Sequence, residues 1–215
     1  MKIDFVSDIA CPWCAVGLNG LERALERLGP EITVQLQVHP FELNPQMAPE
    51  GEDAAEHLQR KYRLSAEQLE RNRALLRERG AAVGFTFGDR LRVWNTFDAH
   101  RLLHWAGLQG EAPQRALKHA LLRAYHGRGE NPGDPEVLAR AAEEAGLDPA
   151  AAREVIASGA HADDVREAEA RWQAEGIRAV PSVIVNDRYL IQGGQPPEAY
   201  EQALREIAAE SATSR

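Results

Sequence analysis

Cysteine is scarce in this chain: 215 residues carry only two, Cys11 and Cys14. A secreted scaffold held by disulfides spreads more cysteines along its length. A bridge closing so short a loop also removes little unfolded-state entropy. The pair therefore points to chemistry rather than scaffolding. Long apolar runs are missing too. No stretch approaches the roughly 18 residues that span a bilayer, so no membrane partner is expected. The start, Met1-Lys2-Ile3-Asp4-Phe5, lacks the apolar run of roughly 7–15 residues of an export signal, so a cytoplasmic location is expected. Positive charge is in deficit, with a net charge of −8. Such a chain repels phosphate backbones, which argues against nucleic acid as a partner. The Arg-rich stretch 60–79 is interleaved with Glu67, Glu70 and Glu78 and reads as a solvated helix face.

What is present is an ordinary globular pattern. Ile3, Phe5 and Val6 suggest a first strand, ended by Ser7-Asp8. After the cysteines, Val16, Leu18, Leu21, Leu25 and Leu28 recur at helical spacing until Gly29-Pro30 stops the helix. Ile32, Val34, Leu36 and Val38 then alternate with polar residues, a period-two strand. Strand–helix–strand makes a crossover unit with parallel strands. A loop over 40–53 follows. Helical patterning then covers 54–62, 65–80, 96–107, 114–126, 135–146 and 149–158. Ser65 with Gln68 forms a capping box, and Asp134-Pro135 pairs an N-cap with proline at the first turn. The Gly-rich segment 127–133 lacks the Lys-Ser/Thr ending of a phosphate loop and reads as a helix connection.

Strand chemistry returns near the end. A helix over 163–175 stops at Gly176, and 181–185 reads as a strand. Asn186-Asp187 is a hairpin turn, 188–191 the returning strand, and Pro196-Pro197 opens a last helix. The order is β-α-β, a helical block, then α-β-β-α. This predicts an α/β fold with a small mixed sheet flanked by helices. Residues 1–45 and 160–215 would form one discontinuous domain, with 46–159 as an inserted all-α domain.

Cys11 is placed where the chain leaves the first strand and enters the helix. There the unpaired N–H groups and the helix dipole favour a thiolate. Pro12 suits the first helical turn, and Cys14 lies one turn on, on the same side. Zinc needs about four ligands, and no second cysteine pair exists. His100 and His104 are four apart but lack the intervening Glu of a hydrolytic zinc helix, so no metal centre is expected. A redox pair is the better reading of Cys-x-x-Cys between a strand and a helix. Val180-Pro181 stands directly before the later strand pair, where proline is permitted but uncommon.

Three stretches carry a family resemblance over essentially the whole chain. They are Ser7-Asp8-Ile9-Ala10-Cys11-Pro12-Trp13-Cys14, Trp94-Asn95-Thr96-Phe97-Asp98-Ala99-His100-Arg101, and Gly193-Gly194-Gln195-Pro196-Pro197. With the element order and Val180-Pro181, the chain resembles the thioredoxin superfamily, its DsbA branch, and within that the FrnE-like subfamily. The resemblance implies a thioredoxin-like fold, a cis proline at Pro181 and a nucleophilic Cys11 resolved by Cys14. It also implies a helical insert over the active site, with Pro12, Trp13, Val180, Asn95, Thr96 and His100 in its neighbourhood. On residue chemistry alone, Asn95, Thr96 and His100 read as helix capping and packing. The second, C-terminal cysteine pair of some relatives is absent, as is the export signal usual in DsbA proteins.

The expected function is thiol–disulfide exchange with protein or small-molecule thiols. It needs no metal or organic cofactor, with glutathione as a conceivable co-substrate. The alternative is a glutathione-dependent isomerase or transferase of the 2-hydroxychromene-2-carboxylate isomerase or kappa-class type. Those isomerases typically place serine where this chain has Cys11. A chaperone or adaptor would use the apolar stretch of Trp94, Phe97, Leu102, Leu103 and Trp105, which at helical spacing reads better as core. Oligomeric state stays open, with a homodimer through the insert conceivable.

Overall fold

Strand β1 (Lys2–Ser7) is buried from Ile3 onward. A strand so covered needs packing on both faces, and it has it. Ile3 and Phe5 point into the main core with residues of the helices, while Val6 faces a second cluster containing Trp172 and Ile184. The computed structural model describes residues 1–30 and 32–213.

From β1 the chain enters α1 (Pro12–Leu28) and returns as β2 (Gln35–Pro40). Next come β3 (Glu52–Asp53), α2 (Ala54–Tyr62), α3 (Ala66–Ala82), β4 (Arg92–Val93), α4 (Phe97–Gly107) and α5 (Glu111–Leu122). A wide π turn (Arg123–Gly127) continues α5. Then α6 (Pro135–Glu144), α7 (Pro149–Ser158) and α8 (Ala162–Ala174) precede β5 (Ser182–Val185), β6 (Tyr189–Gln192) and α9 (Pro197–Thr213).

The main sheet has the order β2-β1-β5-β6. β1 runs parallel to β2, with Phe5 opposite Val38, and antiparallel to β5, with Phe5 opposite Val183. Asn186 and Asp187 both take left-handed φ values, 52° and 55°, and so make the tight hairpin between β5 and β6. This is the expected mixed sheet flanked by helices. One continuous core joins Ile3, Leu18 and Leu21 of the sheet unit to Leu102, Leu117 and Leu138 of the helical block. Among the described residues no helix is long and apolar enough to cross a membrane.

There are four local differences from the sequence reading. β2 begins at Gln35 rather than Ile32, where its ladder with β1 starts at the Lys2–Gln35 pair. The two-residue ladder of β3 and β4 is too short to leave a periodic signal. Helix α3 runs past Gly80 to Ala82; Gly80 is needed there because a Cβ would stand 2.6 Å from the Phe85 carbonyl oxygen of the returning loop. Helix α5 starts at Glu111, ahead of Pro113, since the first helical turn has no N–H partners to lose.

Helix α1 is seated tightly against the end of the sheet. A Cβ on Gly17 would lie 2.9 Å from Cγ of Pro181, and one on Gly20 would lie 2.8 Å from the Gln195 carbonyl oxygen. Glycine at these two positions lets the cysteine-bearing helix approach the proline loop and α9. A backbone oxygen cannot rotate away as a side chain can. Gly20→Val is expected to cost about 1–3 kcal/mol by overpacking, read as a lower urea midpoint with an unchanged slope. An unchanged midpoint would show that α1 has room to shift.

Candidate active site

The turn from β1 into α1 is built by one carboxylate. Asp8 is fully buried and accepts four hydrogen bonds. Oδ1 takes the Ala10 N–H at 3.0 Å, the Thr96 hydroxyl at 2.8 Å and Nε2 of His100 at 3.2 Å. Oδ2 takes the Leu43 N–H at 2.7 Å. An ionised carboxylate only accepts, so His100 presents Nε2–H to it. Burial pushes the Asp8 pKa up, but His100 and the N–H groups of Leu43 and Ala10 outweigh it and hold the carboxyl below its ordinary range.

The backbone of this turn is held by side chains of the helical block. His126, on the π turn, donates Nε2–H to the Ile9 carbonyl at 2.8 Å. Its own pKa is pushed down to about 3, by burial first and by Arg90 next, so it is neutral. Arg90 donates to the Ala10 carbonyl at 2.9 Å. The Asp8 carbonyl accepts the Cys11 N–H at 3.3 Å.

Cys11 is the N-cap of α1, in extended backbone with φ −89° and ψ 112°, and Pro12 follows at the first helical position. Its sulfur makes no capping hydrogen bond, so the helix N–H groups act on it as oriented dipoles. The Cys14 thiol lowers the Cys11 pKa most, helped by the backbone N–H groups of Cys14 and Trp13; burial and the Asp8 charge push the other way, and the net direction is down. Cys14 moves the opposite way. Burial raises its pKa well above the ordinary value, and its hydrogen bond to Cys11 adds to that. Cys14 is 0% exposed and Cys11 5%, so both are buried and Cys11 is the less deeply buried of the two. Both are free thiols.

Val180-Pro181 is a cis peptide, and the Cys11 thiol donates to the Val180 carbonyl at 3.6 Å. The structure thus brings Cys11, Cys14, Val180 and Pro181 together, with Pro12 and Trp13 in the first turn of α1. Thr96 and His100 join them only through Asp8. Asn95 does not: its amide donates to the Met47 carbonyl at 3.0 Å and its oxygen caps α4 by accepting the Phe97 N–H at 2.8 Å.

Sequence reasoning passed over Asp8, Arg90, His126 and Lys118. Lys118 on α5 is 0% exposed, and its ammonium has no hydrogen-bond partner among the described residues. Burial pushes its pKa down to about 8, against the pull of Cys14, Asp8 and Cys11. The signal was available: Lys118 occupies an apolar-face position of α5, beside Leu117 and Leu121.

A model of the DSBA-like thioredoxin domain matches residues 2–205. The chain belongs to that family. A probable DsbA oxidoreductase from Streptomyces coelicolor has a crystal structure that superposes with a TM-score of 0.90 at 34% identity, covering 98% of this chain and 91% of that one. The uncharacterized protein YwbO of Bacillus subtilis (strain 168) is 26% identical over 210 residues, 95% of this chain and 96% of its own length. A 2-hydroxychromene-2-carboxylate isomerase shares the fold over the full length of both chains, with a TM-score of 0.72 at 16% identity.

Two predictions follow from the buried charges. The folded-state pKa of Asp8 lies below its unfolded value. Its contribution is therefore complete above about pH 4 and is lost as pH falls through the folded value. Asp8→Asn turns one acceptor into a donor facing N–H groups, so it is expected to cost about 1–3 kcal/mol at pH 7. The difference from the parent in urea titrations should shrink as pH drops below about 4; a constant difference would mean Asp8 is not ionised in the fold.

For Lys118 the sign is opposite. Its folded pKa, about 8, lies below the unfolded value, so the cost of burying the charge is full at pH 7 and fades from about 8 to about 10.4. Lys118→Met is expected to be more stable than the parent at pH 7, with the gain vanishing across that window. The same variant should raise the pH midpoint of Cys11 alkylation, because a cation favouring thiolates is gone. A less stable variant with an unmoved midpoint would refute both.

Proposed function

We propose that this protein catalyses thiol–disulfide exchange through Cys11 and Cys14. The observation that carries this is the opposed pair of thiols at the start of α1, one lowered in pKa and lying nearer the surface, one raised and fully buried. The lowered thiol supplies thiolate for attack, and the sealed one becomes reactive only once its partner is engaged. The Cys11 thiolate attacks one sulfur of a partner disulfide. An S–S bond forms to Cys11, the partner's S–S bond breaks, and one partner thiolate leaves. Cys14 then loses its proton and attacks the Cys11 sulfur, releasing the second partner thiol. The partner gains two electrons and the protein is left with a Cys11–Cys14 disulfide. Run backwards, the same steps oxidise a partner dithiol.

The surrounding groups fit these steps. Lys118, a cation at neutral pH, stabilises the Cys14 thiolate as it forms. Asp8, being negative, opposes charge on Cys11 and keeps the thiolate from becoming too stable to react. Val180 and Pro181 form the wall against which a partner chain is presented. No metal or organic cofactor takes part, and glutathione serves as co-substrate. The partners are protein or small-molecule thiols and disulfides in the cytoplasm, and the 46–159 helical domain shapes the cleft that admits them. The isomerase reading rests on shared fold alone. Activation of bound glutathione by a hydroxyl does not call for two thiols of opposed pKa.

Equilibration in glutathione buffers at neutral pH, with thiol trapping, should give a potential between about −120 and −270 mV. A pair still oxidised well below about −300 mV would be structural, and a pair that never closes would favour the isomerase. Cys14→Ser should accumulate a mixed disulfide on Cys11, seen as an added mass that dithiothreitol removes. Failure of that variant to trap any small aromatic or glutathione disulfide would overturn the exchange mechanism.

A further inference from the structure

His100 and His104 lie one turn apart on α4 but serve different neighbours. His100 turns to Asp8, while His104 turns to the start of α8. There His161 is the N-cap and Asp164 stands in the first turn. Nδ1 of His161 lies 2.9 Å from Oδ2 of Asp164, and Nε2 of His104 lies 3.7 Å from the same oxygen. The two imidazole rings face each other with centroids 5.0 Å apart and planes 30° apart. One ligand atom from each residue falls within 4.8 Å of the other two.

We propose that His104, His161 and Asp164 form a binding site for a divalent transition ion of the zinc class. Bonds of about 2.0–2.2 Å in tetrahedral geometry set ligand atoms about 3.3–3.5 Å apart. The 2.9 and 3.7 Å separations already bracket that range. The third needs to close by little more than 1 Å at most. A hydrogen bond explains His161 with Asp164, but it does not explain His104. At 3.7 Å its Nε2 is beyond hydrogen-bond reach of Asp164, and its ring makes no hydrogen bond among the described residues.

The ligands are held rather than loosely gathered. Arg101, one turn before His104, is buried and donates to the Ala160 carbonyl at 2.7 Å and to the Val155 carbonyl. That clamp fixes the chain entering His161 against α4. His161 itself has a left-handed backbone with φ 63°, and its ring packs against that of His104 on α4. Two imidazoles and one carboxylate suit zinc and its first-row neighbours, and do not suit calcium or magnesium, which prefer all-oxygen shells. Solvent completes the shell from the exposed side, where Asp164 is half open. The i, i+4 spacing of His100 and His104 suggests no metal centre, and the fold pairs His104 instead with residues about sixty positions later.

The test uses the full chain with the Cys11–Cys14 disulfide closed, so that the thiols cannot chelate. Zn2+ is titrated calorimetrically into this form and into His104→Gln, His161→Asn and Asp164→Asn, each checked for parental thermal stability without metal. Asparagine is chosen at 161 because it tolerates left-handed backbone. One equivalent of saturable binding is expected in the parent, weakened at least about tenfold in each variant. The melting temperature should rise with Zn2+ in the parent only. Absence of one-equivalent binding in the parent would overturn the proposal, as would retention of the affinity within about twofold by all three variants.

Discussion

The Asp8 carboxylate is the constraint on which the site depends. One buried group collects N–H and O–H donors from its own turn, from the segment after β2, from Thr96 directly before α4 and from His100 within it. A buried carboxylate persists only when its lone pairs are engaged, so these segments must meet there or the fold pays heavily. By meeting there they fix where β1 ends and where α1 begins. Cys11 inherits its position from that junction.

The helical block therefore does more than cover the site. His126 and Arg90 hold two successive carbonyls of the turn, and Lys118 sends a bare ammonium toward the cysteines. The π turn that carries His126 is a local departure from α-helical winding, and such departures are common where a side chain must be re-aimed. Lys118 and Asp8 act on the thiols with opposite sign. They adjust an ionisation set mainly by burial and by the contact between the two thiols. Stability is given up for this: an unpaired buried cation is unfavourable wherever it is not used.

The same elements run a second arrangement on their outer side. Helix α4 carries His100 inward to Asp8 and His104 toward α8, and Arg101 between them ties α4 to the chain entering α8. The active-site junction and the proposed metal site thus share one rigid helix, and His100 and His104 border a common cavity of about 220 Å³.

Much of the fold was legible because it rests on near neighbours. The 3.6-residue apolar spacing of α1, the alternation in β2, the Ser65 and Asp134 caps and the Asn186-Asp187 hairpin each depend on contacts within a few residues, which residue type and spacing encode directly. The Cys-x-x-Cys spacing likewise placed the two thiols at a helix start, and the resemblance supplied the cis peptide at Pro181. Asn95 and Thr96 show where such reading stops. Both looked like caps, yet only Asn95 caps α4 with its side chain, while the Thr96 hydroxyl goes to Asp8, 88 residues away. Lys118 was visible as a charge on an apolar face, but its target was not.

The sequence by itself determined the order of the main-sheet strands and the helices, the cysteine pair at a helix start and the acidic balance of the chain. Only the tertiary structure decided which side chains surround the turn into Cys11. Those partners lie 80 to 117 residues beyond the turn. No local period records which helix face will meet which loop. That meeting is chosen by joint satisfaction of buried polar groups, and it exists only once the whole chain has folded.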